Sequence, residues 1–280
     1  MIECAQAETR EAAAPMLIAQ ISDTHVCAEG TPLYGRIDTN AGLAGAVETV
    51  NRLKPRPDLV LMSGDLAESG EAAQYAMLRK LLARLELPVH VMPGNHDSRD
   101  RLRAAFADHA YLPKEGAFLH YALERGPLRL IALDTQLPGE DGGALCAQRL
   151  AWLAAELARD PNHPTVIAMH HPPVPIGVDW LDRSNCANAD AFAAVVSRHP
   201  QIERILCGHV HRAAQIRFAG TMVATAPSTA YQVALELGHD GEPHLIAGEP
   251  PAFLLHRWHG GALVSHVVPV GDFGAPEPYG

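Results

Sequence analysis

The chain has 280 residues, of which 48% are hydrophobic and 19% charged, a balance typical of a soluble globular protein and not of a disordered chain. Its formal net charge of −10 argues against a surface that coats nucleic acid. An anionic substrate is still allowed, because bound cations reverse the local potential of a site. The sequence has no uninterrupted apolar run long enough to cross a bilayer.

Histidine is unusually frequent: 16 histidines stand beside 6 tyrosines and 6 phenylalanines, which directs attention to metal ligands. The 5 cysteines are scattered without a CxxC pair, as expected for reduced thiols in a cytoplasmic protein. The acidic first residues do not resemble a signal peptide. We expect a loose N-terminal tail over residues 1–15, one domain over 16–270 and a C-terminal tail over 271–280.

Short apolar runs alternate with helical patterns along the chain, which predicts a layered α/β domain. Strands are predicted at 16–22, 59–64, 89–94, 128–133, 165–169 and 202–207. Helices are predicted at 40–53 with Asn40 as N-cap, 71–85, 146–158, and up to residue 198 with Asp190 as N-cap. Later β-like segments at 216–218, 222–224, 232–237, 253–258 and 262–268 predict strands that complete a second sheet rather than an independent domain.

A polar cluster follows each of five predicted strands. In open α/β sheets, ligands bind at the carboxyl ends of the strands, so we expect these clusters to converge. The candidate ligands in them are Asp23, His25, Asp65, Asn95, His170, His209 and His211.

Each cluster alone also has an ordinary structural interpretation. Asp65 follows a strand as a helix cap would, and Asn95 suits a left-handed turn. His170 and His171 precede two prolines and fit buried structural histidines. His209 and His211 are more specific, because alternate residues of an extended segment point the same way.

The types of donor indicate the kind of metal. Carboxylate, amide and imidazole groups without thiolate suit Mn²⁺, Fe²⁺, Zn²⁺ or Co²⁺. Seven ligands are too many for one tetrahedral ion and suffice for two ions that share a bridging carboxylate. Such a pair clamps a phosphoryl group and generates a hydroxide nucleophile near neutral pH.

These motifs resemble the calcineurin-like metallophosphoesterase superfamily. The blocks are SDTH (22–25), SGDL (63–66), PGNHD (93–97), MHHPP (169–173) and CGHVH (207–211), in the order of that family. The resemblance implies a four-layer αββα sandwich, two β-sheets flanked by helices. LYGRIDTN (33–40) and HHPPVPIG (170–177) are similar to bacterial class III phosphodiesterases, which include glycerophosphodiesterases and cyclic-AMP phosphodiesterases.

The resemblance also implies roles for individual residues. One ion takes Asp23, His25 and His211, the other takes Asn95, His170 and His209, and Asp65 bridges both. His96 contacts the phosphate or protonates the leaving oxygen, and Asn95 also touches substrate. Asp97 orients His96, and His171 supports the ligands without binding metal.

The segment 177–189 is expected to border the substrate pocket with Trp180, Arg183 and Asn185, although a solvated linker is the alternative. The implied reaction is attack of a metal-bridging hydroxide on small soluble phosphodiesters, either glycerophosphodiesters or 3′,5′-cyclic nucleotides. A phosphomonoesterase or nuclease would use the same site, and a non-catalytic scaffold would use the same fold. No membrane partner is expected, nucleic acid is not expected as the main partner, and a homo-oligomer is the default expectation.

Overall fold

Fifteen strands and six helices make up the part of the chain that the computed structural model describes, residues 15–238, 244–274 and 277–278. The strands are β1 (Met16–Ile21), β2 (Leu59–Ser63), β3 (Val89–Met92), β4 (Tyr121–Arg125), β5 (Leu128–Leu133), β6 (Gly143–Ala144), β7 (Thr165–Met169), β8 (Cys186–Ala187), β9 (Ile202–Cys207), β10 (Ala214–Phe218), β11 (Thr221–Thr225), β12 (Gln232–Val233), β13 (Ile246–Ala247), β14 (Ala252–His259) and β15 (Ala262–Pro269). The helices are α1 (Thr39–Arg52), α2 (Ala72–Leu82), α3 (Arg99–Ala105), α4 (Ala147–Arg159), α5 (Asp179–Asp182) and α6 (Ala189–Val196). Except for Pro15, the predicted N-terminal tail lies outside the described residues.

Two mixed sheets carry the fold. The first has the order β15-β14-β1-β2-β3, and the second has the order β10-β11-β9-β7-β5-β4. Strands β1, β2 and β3 run parallel in the first sheet, as do β5, β7, β9 and β11 in the second. Their carboxyl ends therefore open at one edge of each sheet, where the loops that follow them carry the polar clusters.

The alternation of side chains along the strands explains why both sheets are buried on two faces. In β5, Leu130 and Ala132 join the core that faces the first sheet, whereas Ile131 and Leu133 join a second core with α4 and α6. Helices α1 and α2 cover the far face of the first sheet through residues such as Val47. The predicted α/β sandwich, two sheets flanked by helices, is confirmed.

Two predicted helix caps are wrong. Asp38 is the N-cap of α1, since its carboxylate accepts the N–H of Ala41, whereas Asn40 lies inside the helix and hydrogen-bonds the backbone of Cys27. Asn188 is the N-cap of α6, and Asp190 lies in its first turn. In both cases a neighbouring polar residue two positions earlier takes the cap.

The prediction that the C-terminal strands complete a second sheet holds only in part. Strand β14 pairs antiparallel with β1, and β15 pairs with β14, so both extend the first sheet. Only β10 and β11 extend the second sheet. The predicted strand at 232–237 shortens to Gln232–Val233. Among the described helices, none is long and apolar enough to span a membrane.

Candidate metal centre

The structure brings the seven candidate ligands together from both sheets. In the first sheet, β1 is followed by Asp23 and His25, β2 by Asp65, and β3 by Asn95. In the second sheet, β7 is followed by His170, and β9 by His209 and His211. All of them except Asn95 are buried.

Asp23, His25 and His211 form the first group of donors. Nε2 of His25 lies 3.1 Å from Nε2 of His211, which lies 3.5 Å from Oδ1 of Asp23. Their donor atoms all lie within 4.8 Å of one another, close enough to share one ion.

Asn95, His170 and His209 form the second group. Oδ1 of Asn95 lies 3.2 Å from Nε2 of His170 and 3.2 Å from Nδ1 of His209. An amide oxygen and two imidazole nitrogens therefore face a common point.

Asp65 lies between the two groups. Its Oδ2 is 3.3 Å from Nε2 of His170 in the second group and 3.7 Å from Nε2 of His25 in the first. Its Oδ1 accepts the backbone N–H of His96 at 3.0 Å, which fixes the orientation of the carboxylate. One oxygen atom of Asp65 thus faces both donor sets.

Hydrogen bonds to the outer nitrogens orient the imidazoles. In three of them Nδ1–H donates outward: His25 to the Glu68 carboxylate (2.7 Å), His170 to the Ser63 carbonyl (2.9 Å) and His211 to the Tyr231 carbonyl (2.9 Å). His209 is reversed. Its Nε2–H donates to the Ser184 hydroxyl at 3.0 Å, because that hydroxyl itself donates to the Leu181 carbonyl. Each ring therefore directs the lone pair of its other nitrogen into the cluster, as metal-ligating histidines do.

The electrostatics of the cluster keep most donors in the form that binds metal. Burial lowers the pKa of His209 to about 3 and that of His211 to about 4. Burial would raise the pKa of Asp65, but the imidazole of His170 and its neighbours outweigh it and hold that pKa well below the ordinary value. Burial likewise opposes a charge on His170, yet the adjacent Asp65 carboxylate raises its pKa to about 9. The charged forms of His170 and Asp65 therefore stabilise each other, and a cation bound here would compete with the proton of His170.

The backbone at the cluster is strained. Of the eight described non-glycine residues with positive φ, five are candidate ligands: Asp23, His25, Asp65, His209 and His211. Such conformations cost energy and persist where surrounding structure enforces them, which happens at functional sites. Two glycines allow the close approach of the loops: a Cβ on Gly94 would lie 2.2 Å from Oδ1 of Asp65, and one on Gly208 would lie 2.7 Å from Oδ2 of Asp23.

His96 stands beside the cluster without joining either donor set. Its Nδ1–H donates to the Glu68 carbonyl, its ring meets that of His25 edge-on at 4.7 Å, and 35% of its side chain is exposed. Burial would lower its pKa, but the Asp65 carboxylate and the contact with Glu68 outweigh this and raise it. Nε2 of His96 can therefore carry a proton at the edge of the site.

Asp97 does not orient His96 as expected. Its carboxylate instead accepts the N–H groups of Gly94 and Leu66 and the hydroxyl of Tyr75, at 2.9–3.1 Å. Asp97 therefore fixes the loop that carries Asn95. The carbonyl of Glu68, not a carboxylate, orients His96.

His171 is buried against the cluster, with its ring centroid 4.7 Å from that of His209. Both of its nitrogens are engaged, Nδ1 with the Thr135 hydroxyl at 2.8 Å and Nε2 with the Asp141 carbonyl at 3.1 Å. This placement suits the supporting role expected of His171.

A pocket of about 530 Å³ opens over the cluster. Trp180 and Arg183 of the segment 177–189 line it, and the indole of Trp180 stacks on His244 with 4.1 Å between ring centroids. Asn185 does not line it, because its amide turns toward the Asp182 carboxylate and the Val174 carbonyl. Asn185 therefore shapes the segment instead of facing the pocket.

Several residues at the site escaped the sequence analysis: Glu68, Thr135, Glu140, Asp141, Ser184 and Tyr231. Glu68 lies three residues after Asp65, so a carboxylate close to a predicted ligand was a usable signal. Ser184 lies within the segment 177–189, between two residues that were predicted to border the pocket. The others reach the site from segments remote in sequence, and their local pattern carries no such signal.

The comparisons with known proteins agree with the motifs. Residues 16–213 match the model of the calcineurin-like phosphoesterase family. The chain belongs to this family. The resemblance inferred from the five motifs is confirmed.

Relatives match most of the chain. It is 35% identical to a glycerophosphodiester phosphodiesterase, GpdQ, of Enterobacter lignolyticus, over 94% of this chain and 95% of that protein. It is 33% identical to a 3′,5′-cyclic adenosine monophosphate phosphodiesterase, CpdA, of Pseudomonas aeruginosa, over 79% of both chains. A dimetal phosphatase of Danio rerio shares the fold, with a TM-score of 0.63 and 15% identity over 91% of this chain and 99% of that one.

Proposed function

We propose that this chain is a dinuclear metal-dependent phosphodiesterase that hydrolyses small soluble phosphoric diesters. The observation that carries the proposal is the position of Asp65, whose Oδ2 faces a histidine of each donor set. Similarity to phosphodiesterases of two substrate groups over most of the chain supports hydrolysis of diesters.

The residues present fit two divalent ions. Each donor set combines oxygen with imidazole nitrogen, the nitrogens face inward, and the described ligands include no thiolate. Asp23, His25 and His211 would hold one ion, Asn95, His170 and His209 the other, and Asp65 both. Mn²⁺, Fe²⁺, Zn²⁺ and Co²⁺ all suit this set. When bound, the pair polarises the phosphoryl oxygens and supplies an activated water.

His96 handles the leaving group in this proposal. Its backbone N–H holds Asp65, and its imidazole, oriented by the Glu68 carbonyl, lines the pocket. Nε2 of His96 donates a proton to the departing oxygen, which is the role of a general acid. Asn95, which also lines the pocket, orients the phosphate beside it.

The substrates proposed are glycerophosphodiesters or 3′,5′-cyclic nucleotides. The pocket over the cluster accepts a molecule of this size. The net charge of −10 counts against nucleic acid as the main substrate. A non-catalytic scaffold is disfavoured, because such proteins usually lose ligands and all seven candidate ligands converge here.

A substrate panel tests the proposal. The purified chain, reconstituted with each of the four metals, is assayed on glycerophosphodiesters, 3′,5′-cyclic and 2′,3′-cyclic nucleotides, and phosphomonoesters. We expect the highest kcat/KM on one of the diester groups and no turnover in excess chelator. Equal or higher kcat/KM on monoesters would contradict the assignment as a diesterase.

A further inference from the structure

A second cavity, of about 760 Å³, lies at the start of β3, the strand whose other end leads to Asn95. Elements on three sides form it: α2, the loop after α3, and the end of β4. It shares no lining residue with the catalytic pocket. Nothing in the proposed phosphodiesterase reaction uses it.

Most of the cavity wall is apolar. Leu82 and Leu87 come from α2 and the turn after it, and Phe106 follows α3. Tyr111 completes the wall, with its ring 4.6 Å from the imidazole of His90. An aromatic or aliphatic group would bury apolar surface against these side chains.

His90 lies in this wall and orients Arg125 beside the cavity. Only 2% of its surface is exposed, and its Nε2 accepts a hydrogen bond from the guanidinium of Arg125 at 3.3 Å. Burial and the charge of Arg125 lower the pKa of His90 to about 4, so the ring is neutral and its proton lies on Nδ1. That Nδ1–H finds no acceptor among the described residues. Nδ1 is enclosed by the protein, so the ring acts on the cavity only by orienting Arg125.

Arg125 supplies a positive charge at the cavity. It is exposed at the end of β4, and among the described residues no carboxylate lies within 4.0 Å of it. Arg79, on the other side of the cavity, is by contrast paired with Asp108 at 2.9 Å. The cavity therefore combines an apolar floor with a guanidinium that no described carboxylate neutralises.

We propose that this cavity binds a small amphipathic anion, a carboxylate carried on an aromatic or aliphatic body. The carboxylate pairs with the guanidinium of Arg125, whose planar donors match carboxylate geometry. The buried imidazole of His90 accepts from the same guanidinium and so keeps it at the cavity. The apolar body packs against Phe106, Tyr111 and the two leucines. The site is separate from the metal centre, so the proposal does not depend on the phosphodiesterase activity.

Binding of 1-naphthoate, with the neutral 1-naphthylmethanol as the matched probe, tests this site by titration calorimetry on the metal-loaded chain. Saturating inorganic phosphate occupies the metal centre and removes binding there. We expect one naphthoate per chain, bound about two- to fivefold more tightly than the alcohol. Arg125→Gln should weaken naphthoate binding about two- to fivefold, the upper part of the range for an exposed charge pair, and leave alcohol binding unchanged. Ala110→Trp, which fills the cavity at an exposed position, should abolish binding of both probes.

Arg159→Gln is the control, because Arg159 is an exposed arginine on α4 outside the cavity. It should bind naphthoate as the wild type does. Hydrolysis of diesters should be unchanged in all three variants, which shows that they fold. The proposal is overturned if phosphate displaces the naphthoate, if the alcohol binds equally well, or if Arg125→Gln and Arg159→Gln behave alike.

Discussion

His96 occupies a position at which an imidazole can act on substrate without holding metal. Its Nδ1 is committed to the Glu68 carbonyl, and the surrounding carboxylates raise its pKa. The nearest ligand ring, that of His25, contacts it only edge-on. The side chain is therefore free to serve chemistry in the pocket.

His96→Ala tests the leaving-group role. We expect the variant to keep its metals and to hydrolyse natural diesters about 10²–10⁴-fold more slowly, the usual contribution of a general acid. Diesters with an acidic phenol leaving group should be slowed much less, because a stable phenolate needs little protonation. Single-substrate kinetics on both types, with metal content as the control, measure the difference. Equal losses on both would leave only phosphate binding for His96.

At the scale of residues, sequence reasoning located the donors but not the groups that orient them. A ligand directly after a strand is visible as a local pattern, and the parallel sheets make such residues converge. The hydrogen bond from His209 to Ser184 spans 25 residues and has no local pattern. Asp97 lies next to His96 in sequence, yet its side chain turns to Tyr75, so adjacency was misleading.

Among the elements, the segment 177–189 contributes a wall to the pocket and also a support for the metal centre. Trp180 and Arg183 line the pocket, while Ser184 holds the outer nitrogen of His209. The short strand β8 pairs with β6, which ties the segment to the loop that carries Asp141. The segment is therefore built into the site and is not a solvated linker in this structure.

Replacement of Trp180 and Arg183 by Ala should change the relative kcat/KM among diesters and leave metal content intact. These side chains line the pocket beyond the donor sets, so they meet the alcohol parts of the substrate and not the ions. Kinetics on a glycerophosphodiester and a 3′,5′-cyclic nucleotide measure the effect. A uniform change on both substrates would argue against a role in specificity.

Strand β14 shows how a buried histidine can link an element to the rest of its sheet. His256 is fully buried, and burial lowers its pKa to about 3. Its neutral ring donates from Nε2–H to the amide oxygen of Gln20 in β1, at 3.0 Å, and accepts from the Ser265 hydroxyl in β15, at 2.7 Å. Protonation of Nδ1 would force the Ser265 hydroxyl to accept instead of donate and would bury a charge.

Stability should therefore fall as the pH drops. The ordinary pKa of a histidine is 6.5, whereas that of His256 in the folded chain is about 3. Between these two pH values, the imidazole is protonated in the unfolded chain and neutral in the folded chain. The free energy of unfolding then decreases by about 1.4 kcal/mol per pH unit for this one group. His256→Gln keeps an amide donor for Gln20 and should reduce that slope by one proton. Urea unfolding of metal-free protein between pH 6 and 4.5 measures it.

Ser265→Ala is the matched control, since it removes a hydrogen bond and keeps the imidazole. It should lower stability by about 1 kcal/mol across the range and retain most of the wild-type slope. If His256→Gln and the wild type show the same slope, the buried neutral histidine does not contribute to the pH dependence.

Pattern and periodicity predicted the central strands of both sheets almost to the residue, including Leu128–Leu133 and Ile202–Cys207. The N-cap residues of α1 and α6 were predicted wrongly, because several polar residues lie near the start of each helix. Only tertiary contacts determine which of them caps the helix. The sequence also did not show which of the two sheets β14 would join. Strand β14 pairs with β1, which lies far away in the sequence: His256 and Gln20, which are in contact, are 236 residues apart. In addition, a strand with alternating apolar residues could pair in either sheet.

For the whole molecule, the central claim is that two sheets meet at an edge where Asp65 connects two sets of metal donors. Three of the ligand-bearing strands belong to the first sheet and two to the second. Neither sheet alone supplies a complete donor set for either of the two proposed ions. The site therefore depends on the packing of the two sheets against each other.

The most direct measurement of this claim is the metal content of purified Asp65→Ala beside the wild type, together with turnover of a diester. The wild type should hold two ions per chain and hydrolyse the diester. Because Asp65 faces both donor sets, the variant should lose metal at both positions and show no turnover. A variant that still binds two ions tightly and turns over normally would contradict the account.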